Sequence, residues 1–412
     1  MKRSSLVLAA VLALSATLSA GIAEAAPVLE RVVFVMRHGV RPPTQTNDQL
    51  RKFSADPWPT WPVAPGDLTP HGGLTVARTG RTIRAAYVGA GLLPARGCAG
   101  PGAVSVWADG SDERTQMTGV VLAAALAGGC RAPVGWSLEK PRDPIFGSAT
   151  GDACKVDSTH EWSRVQTPEE IASLKAATAK LQAIVAPTAC DPTPGPGTCF
   201  SNAPDNNGIF PNTASLAEDI LLEYAEGMSM SDVGWGRANE TDIDLILQIH
   251  EAAFARLRDN VYASSRRGAA MTRVVMAGLQ GEPIGGGPLT GPDLKLLGLA
   301  GHDTNLVLMA STFGLTWTLP DNPDATAPST ALAFELWRDG DRRYVRAVIF
   351  AQPLDQLRSQ DPGVVAVVPL KFEGCAFGPM ASCPLEEVKR RVEKLIPPDC
   401  GWPPVAPVPP KP

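Results

Sequence analysis

Three short apolar runs, each ending abruptly at charged or titratable residues, constrain the fold of this chain more than any other feature. The runs are residues 31–36, 104–108 and 296–300. Near-continuous apolar runs of this length are typical of strands that are covered on both faces, as in a parallel α/β sheet. Helical patterns at 73–87 and 117–126 lie between the runs. The sequence therefore predicts an α/β fold with a mostly parallel central sheet flanked by helices.

The middle of the chain has the pattern of amphipathic helices. Residues 167–170 read as a capping box with proline at the first helical position, which opens a helix to about residue 185. Residues 215–218 read as a second capping box, before a helix to about residue 226. A third helix is predicted over 241–257, and the Pro-, Asn- and Gly-rich segment 187–213 is predicted to be a loop.

These patterns divide the chain into parts. We expect an α/β domain built from residues 26–149 and 271–401, with a mostly α-helical domain, 150–270, inserted into it. Residues 331–337 and 344–350 flank Asp339-Gly340 and predict a β-hairpin at the sheet edge. The segment 402–412 is a Pro-rich tail.

The chain begins with the layout of a secretory signal peptide. Lys2 and Arg3 precede an apolar stretch, and Ala23-Glu24-Ala25 is a small-residue cleavage site, so residues 1–25 are predicted to be removed. No other stretch is long and apolar enough to span a membrane. We therefore expect a periplasmic or secreted protein, with a monomer as the default state. A net charge of −5 gives no general attraction to nucleic acid.

Eight cysteines follow the predicted signal peptide, which in an exported chain indicates four disulfides. A metal-binding set is disfavoured, because no C-x-x-C pair occurs and the five histidines are dispersed. Cysteine spacing alone leaves the pairing open. The cysteines are Cys98, Cys130, Cys154, Cys190, Cys199, Cys375, Cys383 and Cys400.

The residues that follow the apolar runs indicate a phosphate pocket. Arg37 and Arg41 bracket His38 after the first run, and Arg114 follows the second. Ligands of open α/β sheets lie beyond the carboxyl ends of the strands, so these cations are expected in one crevice. Guanidinium groups match phosphate oxygens better than single ammonium groups do. Three arginines balance a dianion, and therefore no metal or other cofactor is required.

A bound phosphate gives His38 a chemical task. A neutral imidazole nitrogen can attack phosphorus and form a covalent phosphohistidine. Asp303, which follows the third run, is the natural general acid for the leaving alcohol, and His302 can help to neutralise the phosphate. The sequence carries neither a G-x-x-x-x-G-K-[ST] phosphate loop nor a G-x-S-x-G nucleophile elbow.

The remaining titratable residues are assigned simpler roles. His71, His160 and His250 lack a comparable context and are interpreted as structural or surface residues. Asp109, Asp112 and Glu113 lie near Arg114 in sequence and are expected to orient it or to contact substrate hydroxyls. The list of expected catalytic and phosphate-binding groups is therefore short.

The motifs RHGVRPP and AGHDTN together resemble those of the histidine acid phosphatases, whose pattern is R-H-G-x-R-x-P early and H-D late. Further stretches resemble the bacterial periplasmic phytase-like branch and are spread over most of the chain. They are DPWPTWPV, LTPHGG, DERT, GWGR, LTWTLPDNP and FELWR. The resemblance implies a phosphoglycerate-mutase-like α/β core, an inserted helical domain and an active site between them.

The resemblance also implies a role for each matching residue. His38 becomes the nucleophile and Asp303 the proton donor. The implied phosphate-binding residues are Arg37, Arg41, Arg114 and His302, and the implied substrate-binding residues are Thr44, Asp109 and Met228. The implied disulfides are Cys98–Cys130, Cys154–Cys400, Cys190–Cys199 and Cys375–Cys383.

Two departures from that branch concern the substrate. Gln45 stands where the phytases that this chain resembles carry a lysine. The missing positive charge should weaken binding of the neighbouring phosphates of phytate. The segment after Met228 also differs in length. We expect a phosphomonoesterase with phytate as the favoured substrate. A broader acid or sugar-phosphate phosphatase is the alternative, followed by a non-catalytic phosphate-binding protein.

Overall fold

The computed structural model describes residues 26–138, 143–147, 154–157, 167–191, 197–200, 212–284, 289–359, 363–375 and 378–400. The predicted signal peptide, 1–25, and the predicted tail, 402–412, lie outside these ranges, as does part of the predicted loop 187–213.

Within the described residues, eight strands form one mixed sheet. They are β1 Val28–Arg37, β2 Val104–Ala108, β3 Val134–Trp136, β4 Leu296–Gly301, β5 Ala331–Asp339, β6 Arg342–Ala351, β7 Ala366–Leu370 and β8 Cys383–Pro384. The order is β3-β2-β4-β1-β5-β6-β7, and β8 pairs with β6. Strands β3, β2, β4 and β1 are parallel, whereas β5, β6 and β7 continue the sheet in antiparallel pairs.

The three apolar runs become adjacent central strands. β4 lies between β1 and β2 and is parallel to both, so their carboxyl ends meet at one edge of the sheet. In the register, Arg37 lies opposite Gly301, and Ala108 lies opposite Ala300. The α/β prediction is confirmed, and the charged residues after these strands are brought together by the sheet itself.

The predicted hairpin forms from β5 and β6, but its placement at the sheet edge is wrong. β5 pairs with β1, and the far side of β6 is covered by β7 and β8. Those two strands are short and contain Pro369 and Pro384, so the sequence gives little sign of them. Proline cannot donate a ladder hydrogen bond and is typical of the edge position that β7 takes.

Helices cover both faces of the sheet. One face packs against α2 Pro70–Gly89 and α3 Glu113–Ala127, and the other against α8 Ala269–Gln280 and α9 Asp303–Phe313. The other helices are α1 Asn47–Leu50, α4 Pro168–Val185, α5 Thr213–Ala225, α6 Glu240–Asp259, α7 Val261–Arg267, α10 Leu354–Ser359 and α11 Leu385–Leu395. Each helix in the described ranges is too short or too polar to span a bilayer.

Helices α4, α5 and α6 share a separate hydrophobic cluster, in which Leu181, Leu221 and Leu247 are fully buried. The predicted capping box at Thr167 forms and opens α4. The predicted box at 215–218 is wrong, because α5 begins at Thr213 and Glu218 lies inside the helix, where it pairs with buried arginines. The domain limits themselves stay a prediction.

Four disulfides join the described chain: Cys98–Cys130, Cys154–Cys400, Cys190–Cys199 and Cys375–Cys383. They are the pairs that the resemblance implies. The Cys154–Cys400 bridge spans 246 residues and ties the end of the described chain to the segment that follows β3. A bridge that closes so long a loop constrains the unfolded chain strongly.

Candidate active site

The chain turns immediately after β1, and this turn sets the position of His38. The His38 N–H donates to the Gly301 carbonyl at 2.8 Å, and its own carbonyl accepts from Ser329 N at 3.0 Å. Gly39 then approaches the start of α2 so closely that a Cβ would lie 2.3 Å from the Gly72 carbonyl oxygen. Glycine at positions 39 and 72 therefore lets the end of β1 pack closely against α2. In this arrangement His38 lines a cavity.

The backbone also fixes the tautomer of His38. Its Nδ1 lies 2.8 Å from the Gly39 carbonyl oxygen, which can only accept, so Nδ1 carries the proton and Nε2 keeps a lone pair. Burial lowers the pKa of His38 well below its usual value, and the charges of Arg114, Arg41 and Arg37 lower it further. The imidazole is therefore neutral at mildly acidic pH, as a nucleophile requires.

Arg37 is fully buried among three carboxylates. Its Nη1 donates to Asp324 Oδ2 at 3.0 Å and to the Thr326 carbonyl at 2.8 Å. Its Nη2 contacts Glu218 and lies 3.1 Å from Asp303 Oδ2. The negative charges of these carboxylates compensate for the burial of the positively charged guanidinium, and the same contacts hold the guanidinium group in one orientation.

Arg41, Arg114 and His302 line the cavity with His38: Arg41 from the same turn, Arg114 from α3 and His302 from the residue after β4. Arg41 Nη2 lies 3.3 Å from Glu218 Oε2, and Arg114 Nη2 donates to Asp112 Oδ2 at 3.1 Å. Arg114 Nη2 is also 3.0 Å from His302 Nε2, and the rings of His302 and His38 are 5.5 Å apart at their centroids. Both arginines and His302 therefore lie around the cavity that the His38 ring lines.

Asp303 is the first residue of α9, and its Oδ1 accepts a hydrogen bond from Thr304 N, in the same helix, at 2.6 Å. Burial alone raises the pKa of Asp303, but the charges of Arg37, His250 and His302 outweigh burial and hold the pKa well below its usual value. The carboxyl group is therefore ionised in the unliganded protein.

A cavity of about 770 Å³ lies against these groups. It is lined by His38, Arg41, Asp109, Arg114, His302 and Asp303 among others, and Arg37 lies behind them, fully buried. Asp109 is also buried, and its Oδ2 is 3.6 Å from His302 Nδ1. The predicted catalytic and phosphate-binding residues are therefore brought together.

Three predicted substrate contacts lie outside the lining of this cavity. Thr44 is exposed, and its hydroxyl donates to Gln45 Oε1 at 3.2 Å. Met228 packs against the α4–α6 cluster, and its carbonyl accepts from Arg358 Nη2 at 2.6 Å. Their contact with a substrate stays a prediction.

Several site residues have no sequence signal of their own. Glu218 and Asp324 flank Arg37, yet they are 181 and 287 residues away along the chain. His250 lines the cavity, and its Nε2 lies 3.9 Å from Asp324 Oδ1. The interpretation of His250 as a structural or surface residue therefore missed that it lies at the site. His71 is buried and its Nε2 contacts the Leu357 carbonyl at 2.5 Å, whereas His160 lies outside the described residues.

The acidic residues after β2 orient the cations. Asp112 accepts from Arg114, and hydrogen bonding to His302 together with the Arg114 charge lowers the pKa of Asp112 to about 2 despite partial burial. Glu113 instead accepts a hydrogen bond from Leu68 N at 3.0 Å and so holds the loop that precedes α2. Asp109, Asp112 and His302 could offer ligand atoms within 4.8 Å of one another. The Arg114 guanidinium already contacts Asp112 and His302, and its positive charge disfavours a metal cation between them.

Comparisons with known proteins agree with this geometry. A family model described as histidine phosphatase superfamily (branch 2) matches residues 28–194. A phytase of Escherichia coli (strain K12) is 31% identical over 81% of this chain and 83% of the relative. A glucose-1-phosphatase of Salmonella typhimurium is 25% identical over 87% of this chain and 90% of the relative.

Solved structures give the same result. The Hafnia alvei phytase in complex with myo-inositol hexakis sulphate superposes with a TM-score of 0.79 at 30% identity, over 92% of this chain and 100% of the other. The Citrobacter braakii phytase superposes with a TM-score of 0.76 at 28% identity, over 91% and 99%. The resemblance seen in the sequence thus extends to nearly the whole fold.

Proposed function

Because the chain belongs to the histidine phosphatase superfamily (branch 2) and is a phosphomonoester hydrolase, we propose that it acts through a phosphohistidine at His38, with phytate as the favoured substrate. The observation that carries the proposal is the fixed neutral tautomer of a buried His38 amid three arginines. Simple phosphate binding would need neither a nucleophile nor an acid, which argues against the non-catalytic alternative.

The reaction proceeds in two balanced steps. His38 Nε2 attacks phosphorus while the bond from phosphorus to the alcohol oxygen breaks, and Asp303 gives that oxygen its proton. Water then attacks the phosphohistidine, Asp303 takes a proton from the water, and His38 leaves as a neutral imidazole. Inorganic phosphate is the second product.

Charge placement supplies most of the catalysis. Arg41 and Arg114 line the cavity and face the phosphate oxygens as permanent cations, Arg37 adds a third positive charge from behind the cavity lining, and His302 adds a donor. Asp112 holds Arg114 and His302 in place, since both contact its Oδ2 at 3.1 Å. These groups need no metal to neutralise the dianion, and the predicted lack of a cofactor stays a prediction.

Two observations bear on the substrate. Similarity to phytases over most of the chain favours phytate. Gln45, in place of a cation at the predicted rim, and similarity to a glucose-1-phosphatase favour a broader sugar-phosphate or acid phosphatase. The first reading is stronger because the identity to the phytases is higher.

A substrate panel tests the proposal. Phytate, glucose 1-phosphate and an aryl phosphate are compared by kcat/KM, each with and without a chelator, for the wild-type chain and for Gln45→Lys. We expect phytate to be the best substrate, no loss with chelator, and a gain for Gln45→Lys on phytate alone. Negligible phytate turnover beside good aryl phosphate turnover would contradict the phytate assignment.

We propose a periplasmic or secreted location for the mature chain. The secretory layout of residues 1–25 and the four disulfides support it, since disulfides persist in oxidising compartments. Recovery of activity in the cytosolic fraction, with residues 1–25 still attached, would contradict it. The monomeric state stays a prediction.

A further inference from the structure

The loop of residues 143–147 packs against the carboxyl ends of the strands that carry the site. Phe146 is buried beside Gly301, where a Cβ would lie 2.7 Å from Phe146 Cδ1 and 2.5 Å from Asn305 Oδ1. Phe146 and Gly147 line the same cavity as His38. The loop therefore forms part of the cavity wall and touches the residue just before His302.

One carboxylate, Asp143, organises this loop. It is fully buried, its Oδ2 accepts from Ser137 N at 3.1 Å, and its Oδ1 accepts from Ile145 N at 2.9 Å. Its own N–H donates to Ser111 Oγ at 3.1 Å. Asp143 thus joins three separate points: the residue after β3, the loop itself and the turn after β2.

The loop is linked in turn to the start of α9. The Phe146 carbonyl accepts from Asn305 Nδ2 at 3.1 Å, and Asn305 Oδ1 accepts from His302 N at 2.8 Å. His302 then contacts Arg114 and Asp112 through Nε2, and Asp303 is its direct neighbour. Two hydrogen bonds therefore connect the loop with the backbone of a predicted phosphate ligand.

We propose that Asp143 is a positioning residue for phosphoryl transfer, which acts by holding loop 143–147 and, through Phe146 and Asn305, the backbone of His302. This inference rests on the proposed function. A buried carboxylate could also serve the fold alone. The two roles differ in what they control, because only the positioning role sets the affinity of the site for phosphate.

The test compares Asp143→Asn with a matched control. The amide replaces one of the two acceptor oxygens, so it can no longer accept from both Ser137 N and Ile145 N. Glu335→Gln is the control, since Glu335 is also buried, accepts from Tyr87 and Trp337, and does not line the cavity. Thermal unfolding, kcat/KM for an aryl phosphate and inhibition by inorganic phosphate are measured for each, well below the melting temperature.

We expect Asp143→Asn to weaken phosphate inhibition and to lower kcat/KM by about 10- to 100-fold, as displaced catalytic groups do. Glu335→Gln should lower only the melting temperature. Phosphate inhibition within about twofold of wild type in Asp143→Asn would overturn the positioning role. An inactive wild-type chain in the same assay would refute the proposed function instead, so the two failures are distinguishable.

A second variant covers the case in which Asp143→Asn does not fold. Asn305→Ala removes both hydrogen bonds of the link, the one to the Phe146 carbonyl and the one from His302 N, and adds no charge to the cavity that Asn305 lines. We expect the same loss of phosphate inhibition, and the double variant should lose little more than either single one, because both act through one connection. Unchanged phosphate inhibition in Asn305→Ala, or fully additive losses, would overturn the proposal.

Discussion

Arg37 Nη2 lies 3.1 Å from Asp303 Oδ2, so a guanidinium that is predicted to bind phosphate is paired with the proposed proton donor. Burial raises the pKa of Asp303, but the charges of Arg37, His250 and His302 hold it well below its usual value. An acid in that state cannot donate a proton at pH 5. A bound dianion would offset the same cations and raise the pKa, so substrate binding itself prepares the acid.

Proton uptake on anion binding follows from this pair. Inorganic sulfate is the useful probe, because it stays a dianion at pH 5 and carries no proton of its own. We expect about one proton to be taken up per sulfate bound to the wild-type chain. Calorimetry in buffers with different ionisation enthalpies measures this uptake.

The control is Asp303→Asn, in which the group that gains the proton is absent. Sulfate should still bind to this variant, with little proton uptake. Equal uptake in the variant and in the wild type would assign the proton to another group, and no uptake in the wild type would contradict the account of Asp303.

Glu218 should compete with phosphate for the arginines. It contacts Arg37 and lies 3.3 Å from Arg41, and both cations lower its pKa despite burial, so it is ionised. Glu218→Gln removes this competing charge, and we expect phosphate to inhibit several-fold more strongly while the melting temperature falls. Glu226→Gln, at the residue that follows the same helix and accepts from Thr69, should leave inhibition unchanged. Weaker inhibition in Glu218→Gln would contradict this view.

Two neighbouring glycines provide a matched pair of variants. A Cβ at Gly72 would lie 2.2 Å from the Val40 carbonyl oxygen, whereas at Gly73 the nearest atom, Val121 Cγ2, is 4.0 Å away. We expect Gly72→Ala to lose activity and stability because the turn after His38 must move. Gly73→Ala should keep activity and gain up to about 1 kcal/mol, since alanine favours the helix. Equal effects at both positions would contradict the docking of the turn on α2.

The stability of the protein should depend on pH through buried carboxyl groups. Burial raises the pKa of Asp219 to about 8, with help from Glu218, and burial raises that of Glu223 to about 8 although Gly234 N opposes it. Their unfolded values are about 4, so the folded state binds these protons more tightly. Their contribution is complete below about pH 4 and is lost as pH rises to about 8.

Asp112 acts in the opposite direction, because its folded pKa of about 2 gives stability that is lost as pH falls from about 4. We therefore expect greatest stability at mildly acidic pH. Urea unfolding between pH 5 and pH 8.5 should show a falling free energy of unfolding, and Asp219→Asn should flatten the fall. A wild-type free energy that stays level or rises over this range would contradict the assignment.

The sequence predicts the parts of the site that local patterns encode. Buried parallel strands can be recognised in the sequence as apolar runs. The residues that follow such strands must meet at one edge of the sheet, and this argument brings His38, Arg114 and Asp303 together. The antiparallel extension is harder to predict, because β7 is short and contains proline. Hence the hairpin is expected at an edge that β7 and β8 in fact cover.

The carboxylates around Arg37 are missed for a different reason. Glu218 and Asp324 come from a helix and a loop that only the tertiary fold brings to β1. Glu218 also stands three residues after a serine, a local pattern that imitates a helix start. Asp143 has no local signal, since its partners are backbone N–H groups.

The proposed mechanism requires a covalent bond between phosphorus and His38 Nε2 during turnover. Rapid quenching into base during turnover of a labelled phosphomonoester, followed by peptide mass spectrometry, detects this bond. We expect one labelled phosphate per chain on His38 and none in His38→Ala, which should also be inactive. Label on another residue, or continued turnover by His38→Ala, would contradict a phosphohistidine at His38.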